Sequence, residues 1–228
     1  MKNGIIYIVF GNKSLEEFRV SIKSLRKIHP KVHITLFSDR LLNNEYVDDN
    51  RIINVSGTRI KQDHLFDSPY ENTLYIDATS GVVGAVTDLF DMLNRFDLGV
   101  IHDIVRKNKR HASMYPEYAT VPDAFPEFSG GILLFRKCRA VEKFFHAWRK
   151  NFKIWYDLTN EHRDQPSLRV SLWQCQDLRI FTLPLEYSIR TKKYHNIIPR
   201  VFHFHEMTEQ KLQKELSHWN FKHPGLMK

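Results

Sequence analysis

Three apolar runs of this chain each deliver an aspartate at or just past their carboxyl end: 32-VHITLFS-38 before Asp39, 73-TLYID-77 and 97-DLGVIHD-103. A fourth carboxylate, Asp164, opens 164-DQPSLRVSLW-173 with Gln165 beside it. Carboxylates at such points can take a proton from a hydroxyl or bind a hard divalent cation. Near the other end, 200-RVFHFH-205 carries His203 and His205, two residues apart and so on one face of a strand. Histidines at this spacing are ordinary in a strand with polar positions. Asp164 likewise suits a helix N-cap as well as a catalytic wall.

The elements that must position these side chains follow from periodicity. Residues 4-GIIYIVF-10 read as a strand buried on both faces, hence parallel and central. Gly11 and Asn12 punctuate it. Ser14, with Glu17 three residues on, has the form of a capping box, and the helix it opens runs to about His29, where Pro30 stops it. With 32–38 as the next strand, the opening is a βαβ unit. A short strand over 51–55, a helix around 59–66, a strand at 73–77, a helix over 87–96 capped by Thr87 and a strand at 97–103 follow. Residues 104–127 read as one long polar loop, and loops of that length are usually functional. Then come a strand at 130–135, helices over about 140–156 and from 164, strands at 179–183 and 200–205, and a helix at 208–219. The expected architecture is α/β: one domain over 1–228, with helices on both faces of a mostly parallel sheet. Ligands in such sheets bind at the carboxyl ends of strands. Gly11, Asp39, Asp77 and Asp103 therefore mark the expected rim.

Taken in order, these pieces resemble the GT-A-fold glycosyltransferases, nucleotide-diphosphosugar transferases of the glycogenin-like and related bacterial and viral kind. The resemblance is carried by 5-IIYIVFGN-12, 59-RIKQDHLFDSPYENTLYIDATSGV-82, 88-DLFDMLNRFDLGVIHD-103, 127-EFSGGILLFRK-137, and 164-DQPSLRVSLW-173 with 183-LPLEYSIR-190 and 202-FHFH-205. It implies a Rossmann-like α/β/α sandwich. It also implies transfer of a sugar from a nucleoside diphosphate sugar, a UDP-sugar above all, to an acceptor hydroxyl on a glycan or glycoprotein. By position in the motifs, Asp77 and His203 would ligate Mn2+ or Mg2+. Phe10, Gly11, Asn12 and Asp39 would lie by the nucleoside, and Arg59 and Lys61 by the phosphates. Asp77, Ala78 and Thr79 stand where the family has its DxD motif. Ser129, Gly130 and Gly131 would floor the sugar pocket, where the family prefers asparagine in place of Ser129. Gln165 would face the donor sugar, and Asp164 or Asp103 would serve as base.

Thr79 is the departure that matters, because a neutral hydroxyl is a far weaker ligand than a carboxylate. Three readings stay open. Metal is held by Asp77 and His203 with diphosphate oxygens completing the shell; or cations such as Lys61, Arg190, Lys192 and Lys193 neutralise the diphosphate without metal; or the chain is a non-catalytic nucleotide-sugar or glycan-binding module with a degenerate DxD site.

Composition bounds the alternatives. The 228 residues carry 34 Lys and Arg against 26 Asp and Glu, a formal net charge of +8, which favours anionic ligands. The run 106-RKNKRH-111 with Tyr115 and Tyr118 is the one stretch that suits nucleic acid, but no nucleic-acid module surrounds it, and no nucleic-acid partner is expected. Cys138 and Cys175 lack metal-like spacing and read as free thiols. The apolar run in MKNGIIYIVFGN is too short for a secretory signal, and no stretch approaches a membrane span. A cytoplasmic location is the expectation.

Overall fold

The computed structural model describes residues 1–54, 61–103, 107–190 and 197–222. Arg59, Lys192 and Lys193 lie outside these residues. The central sheet has seven strands in the order β3-β2-β1-β4-β7-β6-β8. These are β1 (Asn3–Val9), β2 (Ile34–Ser38), β3 (Asp49–Ile52), β4 (Asn72–Ile76), β6 (Leu98–His102), β7 (Phe128–Arg136) and β8 (Ile180–Thr182). All neighbours pair in parallel except β7, which runs antiparallel to both β4 and β6. A second, two-stranded sheet pairs β5 (Ser80–Val82) with β9 (Val201–His203). The sequence leads one to expect β9 in the main sheet; it instead brings the histidine strand back against the residues that follow Asp77.

The core is split by the sheet. On one face, Ile5, Tyr7, Val9, Leu74 and Ile76 pack against α1 (Gly11–Ile28) through Phe18, Ile22 and Leu25. On the other, Ile6, Tyr75, Leu133 and Phe135 meet Phe144, Phe145 and Trp148 of α5 (Arg139–Thr159) and Leu168 and Leu172 of α6 (Gln165–Gln174). Inner strands buried on both faces explain why their sequences are continuous apolar runs rather than alternating ones.

Several local expectations are revised. Ser14 does not cap α1: the helix starts three residues earlier, at Gly11, whose φ of 73° only glycine adopts readily. The Gly11 N–H is satisfied from another strand's end, by Asp39 Oδ2 at 3.2 Å. Glu17 is therefore free to accept the Glu206 N–H at 2.9 Å. Thr87 does not cap the 87–94 segment, which is 3₁₀ in form, with Val86 at the cap and its N–H on His29 Nε2. The 104–127 stretch contains two short helices, α3 (Lys109–Met114) and α4 (Pro116–Thr120). Its tyrosines are core residues: Tyr115 and Tyr118 are fully buried and cannot stack on bases. Two further helices complete the order, α2 (Lys61–His64) and α7 (Glu209–Lys222).

The edge of the sheet is fastened by one buried carboxylate. Asp97, 3% exposed, opens β6 and accepts from Arg136 at the end of β7 and from the backbone and guanidinium of Arg179 before β8. Burial works against its ionised form, but the Arg179 and Arg136 hydrogen bonds prevail and hold it down at about 2. A depressed carboxylate stabilises the fold above its unfolded value and loses that contribution as pH falls towards the folded one. Asp97 should therefore contribute about 2 kcal/mol at neutral pH, lost between about pH 5 and pH 2. Acid denaturation followed by circular dichroism should show D97N less stable at pH 7 by that order and with a flatter decline across the window.

Candidate functional site

The carboxyl ends of β1 and β4 and the opposing β7 converge on one place, as the topology requires. Asp77 follows β4 directly, and its N–H donates to the Gly131 carbonyl at 2.8 Å. Tyr75, two residues back, donates its hydroxyl to Asp77 Oδ1. The other oxygen, Oδ2, faces His203 Nε2 at 3.7 Å. His203 is 6% exposed, and burial lowers its pKa to about 4 against the opposing pull of Asp77; Arg190, Lys61 and His205 lower it further. At neutral pH the imidazole is uncharged and keeps a lone pair.

The second half of the site is built around Lys61. Its ammonium lies 2.7 Å from Asp164 Oδ2 and donates to the Gly130 carbonyl at 2.9 Å, with the Trp148 ring 5.9 Å away. An ammonium has three donors. Lys61 and Asp164 are 8% and 5% exposed, so each neutralises a charge that burial would otherwise make costly. Asp164 sits at the cap position of α6 but makes no side-chain capping bond; its carboxylate is turned to Lys61.

The glycines are required by closeness. A Cβ on Gly131 would lie 2.0 Å from His203 Cε1, and one on Gly130 would lie 3.0 Å from Lys61 Nζ and 3.2 Å from Asp164 Oδ2. Ser129 turns its hydroxyl to the Gly131 N–H at 3.3 Å.

Two cavities meet here. The larger, about 710 Å³, is lined by Lys61, Asp77, Ser129 to Gly131, Asp164, Gln165, Arg190, His203 and His205, and at its mouth by Arg110 and residues 160–163. The smaller, about 220 Å³, shares Lys61, Asp77 and His205 and extends past Ala78 and Thr79 to Phe10 and Ile8. Gly11, Asn12 and Asp39 line neither: they form a cluster beside Phe10, with Arg40 bonded to Asp39 and to Asn12. Arg40 holds the Asp39 carboxyl below its usual range, its hydrogen bond being the main cause. Asp103 also stands behind the wall rather than in it. Its Oδ2 accepts from Gln165 Nε2 at 2.9 Å and Arg190 Nη1 at 3.1 Å, so it positions two lining residues.

Several contributors lacked a sequence signal. Tyr75 and Trp148 read only as core. Arg110, Glu161, His162 and Arg163 lie in stretches whose pattern says loop. The basic run containing Arg110 is largely used within the protein. Lys107 pairs with Asp123 and Arg110 with Glu161, while His111 is buried against Glu127 at 2.7 Å.

As a metal site the pair of Asp77 and His203 fits in kind, one oxygen and one imidazole nitrogen turned toward each other. Among the described residues no group of three or more His, Cys, Asp or Glu gathers. The protein would then supply two donors and leave the rest of the shell to ligand oxygens. Among the described helices none is long and apolar enough to cross a membrane.

No family model matches the chain, and no curated protein does. Solved structures do. An active-site mutant of LgtC is 14% identical, with 94% of this chain and 95% of that chain covered and a TM-score of 0.65. The galactosyltransferase LgtC in complex with donor and acceptor sugar analogues is 16% identical, with 88% and 86% covered and a TM-score of 0.62. Mouse xyloside xylosyltransferase 1 is 10% identical, with 89% and 97% covered and a TM-score of 0.61. The fold is thus the GT-A-like fold of glycosyltransferases, as the sequence motifs led one to expect.

A methyl group on Gly131 would test the floor of the site. G131A should push the His203 ring away from Asp77 and cost about 1–3 kcal/mol by overpacking. Thermal denaturation reads the second effect, and the chemical shifts of the His203 ring read the first.

Proposed function

We propose that the protein is a glycosyltransferase that moves a sugar from a nucleoside diphosphate sugar, a UDP-sugar in preference, to a hydroxyl of a glycan or glycoprotein. One observation carries the reading. Asp77 and the buried Lys61 stand at the junction of two cavities, with neutral His203 beside Asp77 in the larger; one is of a size for a sugar and an acceptor and one leads to an exposed aromatic ring, Phe10. A nucleotide laid across that junction places its base against Phe10, with Gly11, Asn12 and Asp39 behind it. Its diphosphate then lies at Asp77 and its sugar over Ser129, Gly130 and Gly131.

Asp77 and His203 would hold Mn2+ or Mg2+, which, when bound, supplies Lewis-acid stabilisation of the departing diphosphate. Thr79 would then need no role as a ligand. Lys61 adds a fixed positive charge that needs no rearrangement as negative charge develops. Gln165 is set by Asp103: a carboxylate only accepts, so the amide nitrogen faces Asp103 and the amide oxygen is left for a sugar hydroxyl. Asp164 lines the larger cavity and is the group assigned to take the proton of the acceptor hydroxyl. Arg190, held by Asp103, borders the same space.

Calorimetric titration with UDP, GDP and UDP-glucose, each with manganese and with EDTA, tests the reading. Manganese-dependent binding of UDP, abolished in D77N, is expected. Release of UDP from the UDP-sugar when acceptors are offered should fall about 100-fold or more in D77N, as for loss of a group aimed at developing charge. Equal binding in EDTA would replace the metal by Lys61 and Arg190. Binding without any consumption of donor would leave a non-catalytic sugar-nucleotide module. No binding of any nucleotide would overturn the donor site altogether.

A further inference from the structure

We infer that the mouth of the larger cavity is an anion subsite, so that the acceptor carries a carboxylate or a phosphate next to the hydroxyl it presents. The inference rests on the donor assignment above. The cavity has two ends that differ in burial and in charge. At the deep end Lys61, Asp164, Gly130, Gly131 and His203 are buried, and apart from the Asp77 carboxylate the charges are matched: Lys61 with Asp164, and Arg190 with Asp103. At the mouth, Arg110 of α3 and His162 and Arg163 of the turn between α5 and α6 are exposed. Among the described residues the single acid there, Glu161, is already engaged by Arg110, and no acid pairs with Arg163. The mouth therefore carries a net positive charge.

These cations are in the wrong place for the donor diphosphate. The smaller cavity joins the larger through Lys61, Asp77 and His205, and none of Arg110, Glu161, His162 and Arg163 borders it. A nucleotide entering by Phe10 reaches Asp77 first. The mouth, on the far side of Asp164 and Gln165, is left to the other reactant.

The Arg110–Glu161 pair also has the character of a replaceable contact. It joins α3 to the turn that closes α5, where Asn160 takes a left-handed φ of 55°. An ion pair whose arginine is 58% exposed is weak in water. An incoming carboxylate or phosphate can take the guanidinium fork in place of Glu161, with Arg163 beside it. A neutral sugar offers nothing in that exchange.

The test is binding to the UDP-loaded full chain, read by calorimetry, of methyl β-glucoside, methyl β-glucuronide and methyl β-glucoside 6-phosphate. The two charged glycosides should bind at least about 10-fold more tightly than the neutral one, with an advantage that shrinks as salt rises. The R110A/R163A variant, altered only at exposed side chains, should lose that advantage. E161Q should do the reverse and raise affinity for the charged glycosides about 2- to 3-fold. The ratio of the carboxylate and phosphate arms identifies which anion the subsite prefers. Equal affinity for neutral and charged glycosides, or none for any of them, overturns the inference. So does an equal loss of UDP affinity in R110A/R163A, which would hand the arginines to the diphosphate. Failure of the donor assignment itself shows separately, as absence of UDP binding to the unaltered protein.

Discussion

The buried pair of Lys61 and Asp164 is the constraint on which the site's architecture turns. Three elements distant in sequence meet through it: α2 gives the ammonium, the α6 cap position the carboxylate, and β7 the Gly130 carbonyl. Two opposite charges nearly removed from water are costly individually, and removing one partner of such a pair typically costs about 3–5 kcal/mol. Neither side chain could have been buried without the other. Gly130 is part of the same solution, because a Cβ there would press on both partners. What the pair secures is a fixed charge arrangement beside an open cavity. Its geometry does not depend on solvent, and it leaves the ammonium one donor beyond the two already engaged.

That arrangement is possible only because β7 runs against its neighbours. In a wholly parallel sheet the residue entering a strand lies at the end remote from the ligand. Reversal brings the start of β7, Phe128 to Gly131, to the carboxyl ends of β4 and β6. The Gly131 carbonyl then receives the Asp77 N–H, and the flat glycine surface admits the His203 ring. The small β5–β9 sheet completes the enclosure by pairing Ser80 with His203. One reversed strand and one two-stranded ribbon thus turn the carboxyl end of the sheet's inner strands into a pocket.

Much of this was legible in the residues, and the limits have physical causes. The apolar runs of β1, β2, β4 and β7 are long, continuous and bounded by turn residues, and each was placed to within a few residues. Of the aspartates at strand ends, Asp77 lines both cavities, whereas Asp39 and Asp103 line neither. What local pattern could not reveal is partnership across the fold. Ser14 and Glu17 have the spacing of a capping box, yet Asp39 reaches the helix start and Glu17 serves the Glu206 N–H instead. Asp103 is rim-like in sequence but lies one layer behind, orienting Gln165 and Arg190. Residues 104–127, polar and proline-rich, read as a loop. The described part of that stretch, 107–127, is fastened by a buried network in which Glu127 accepts from Tyr118 and meets His111, while Arg169 binds the Val121 and Phe125 carbonyls. A lone buried arginine in α6 leaves no periodic trace of the segment it holds.

The neutral Thr79 follows from the same reasoning. A second carboxylate two residues after Asp77 would join the lining of the smaller cavity, which already includes Glu17, 8% exposed. Like charges sharing a small, partly dry space disfavour each other. Thr79 avoids that repulsion, and its carbonyl receives the Phe204 N–H, continuing the β5–β9 pairing past His203. Tyr75 meanwhile engages one oxygen of Asp77, so the remaining oxygen has a defined direction, toward His203. The Tyr75 hydroxyl thus orients Asp77, and Thr79 adds no negative charge to the smaller cavity.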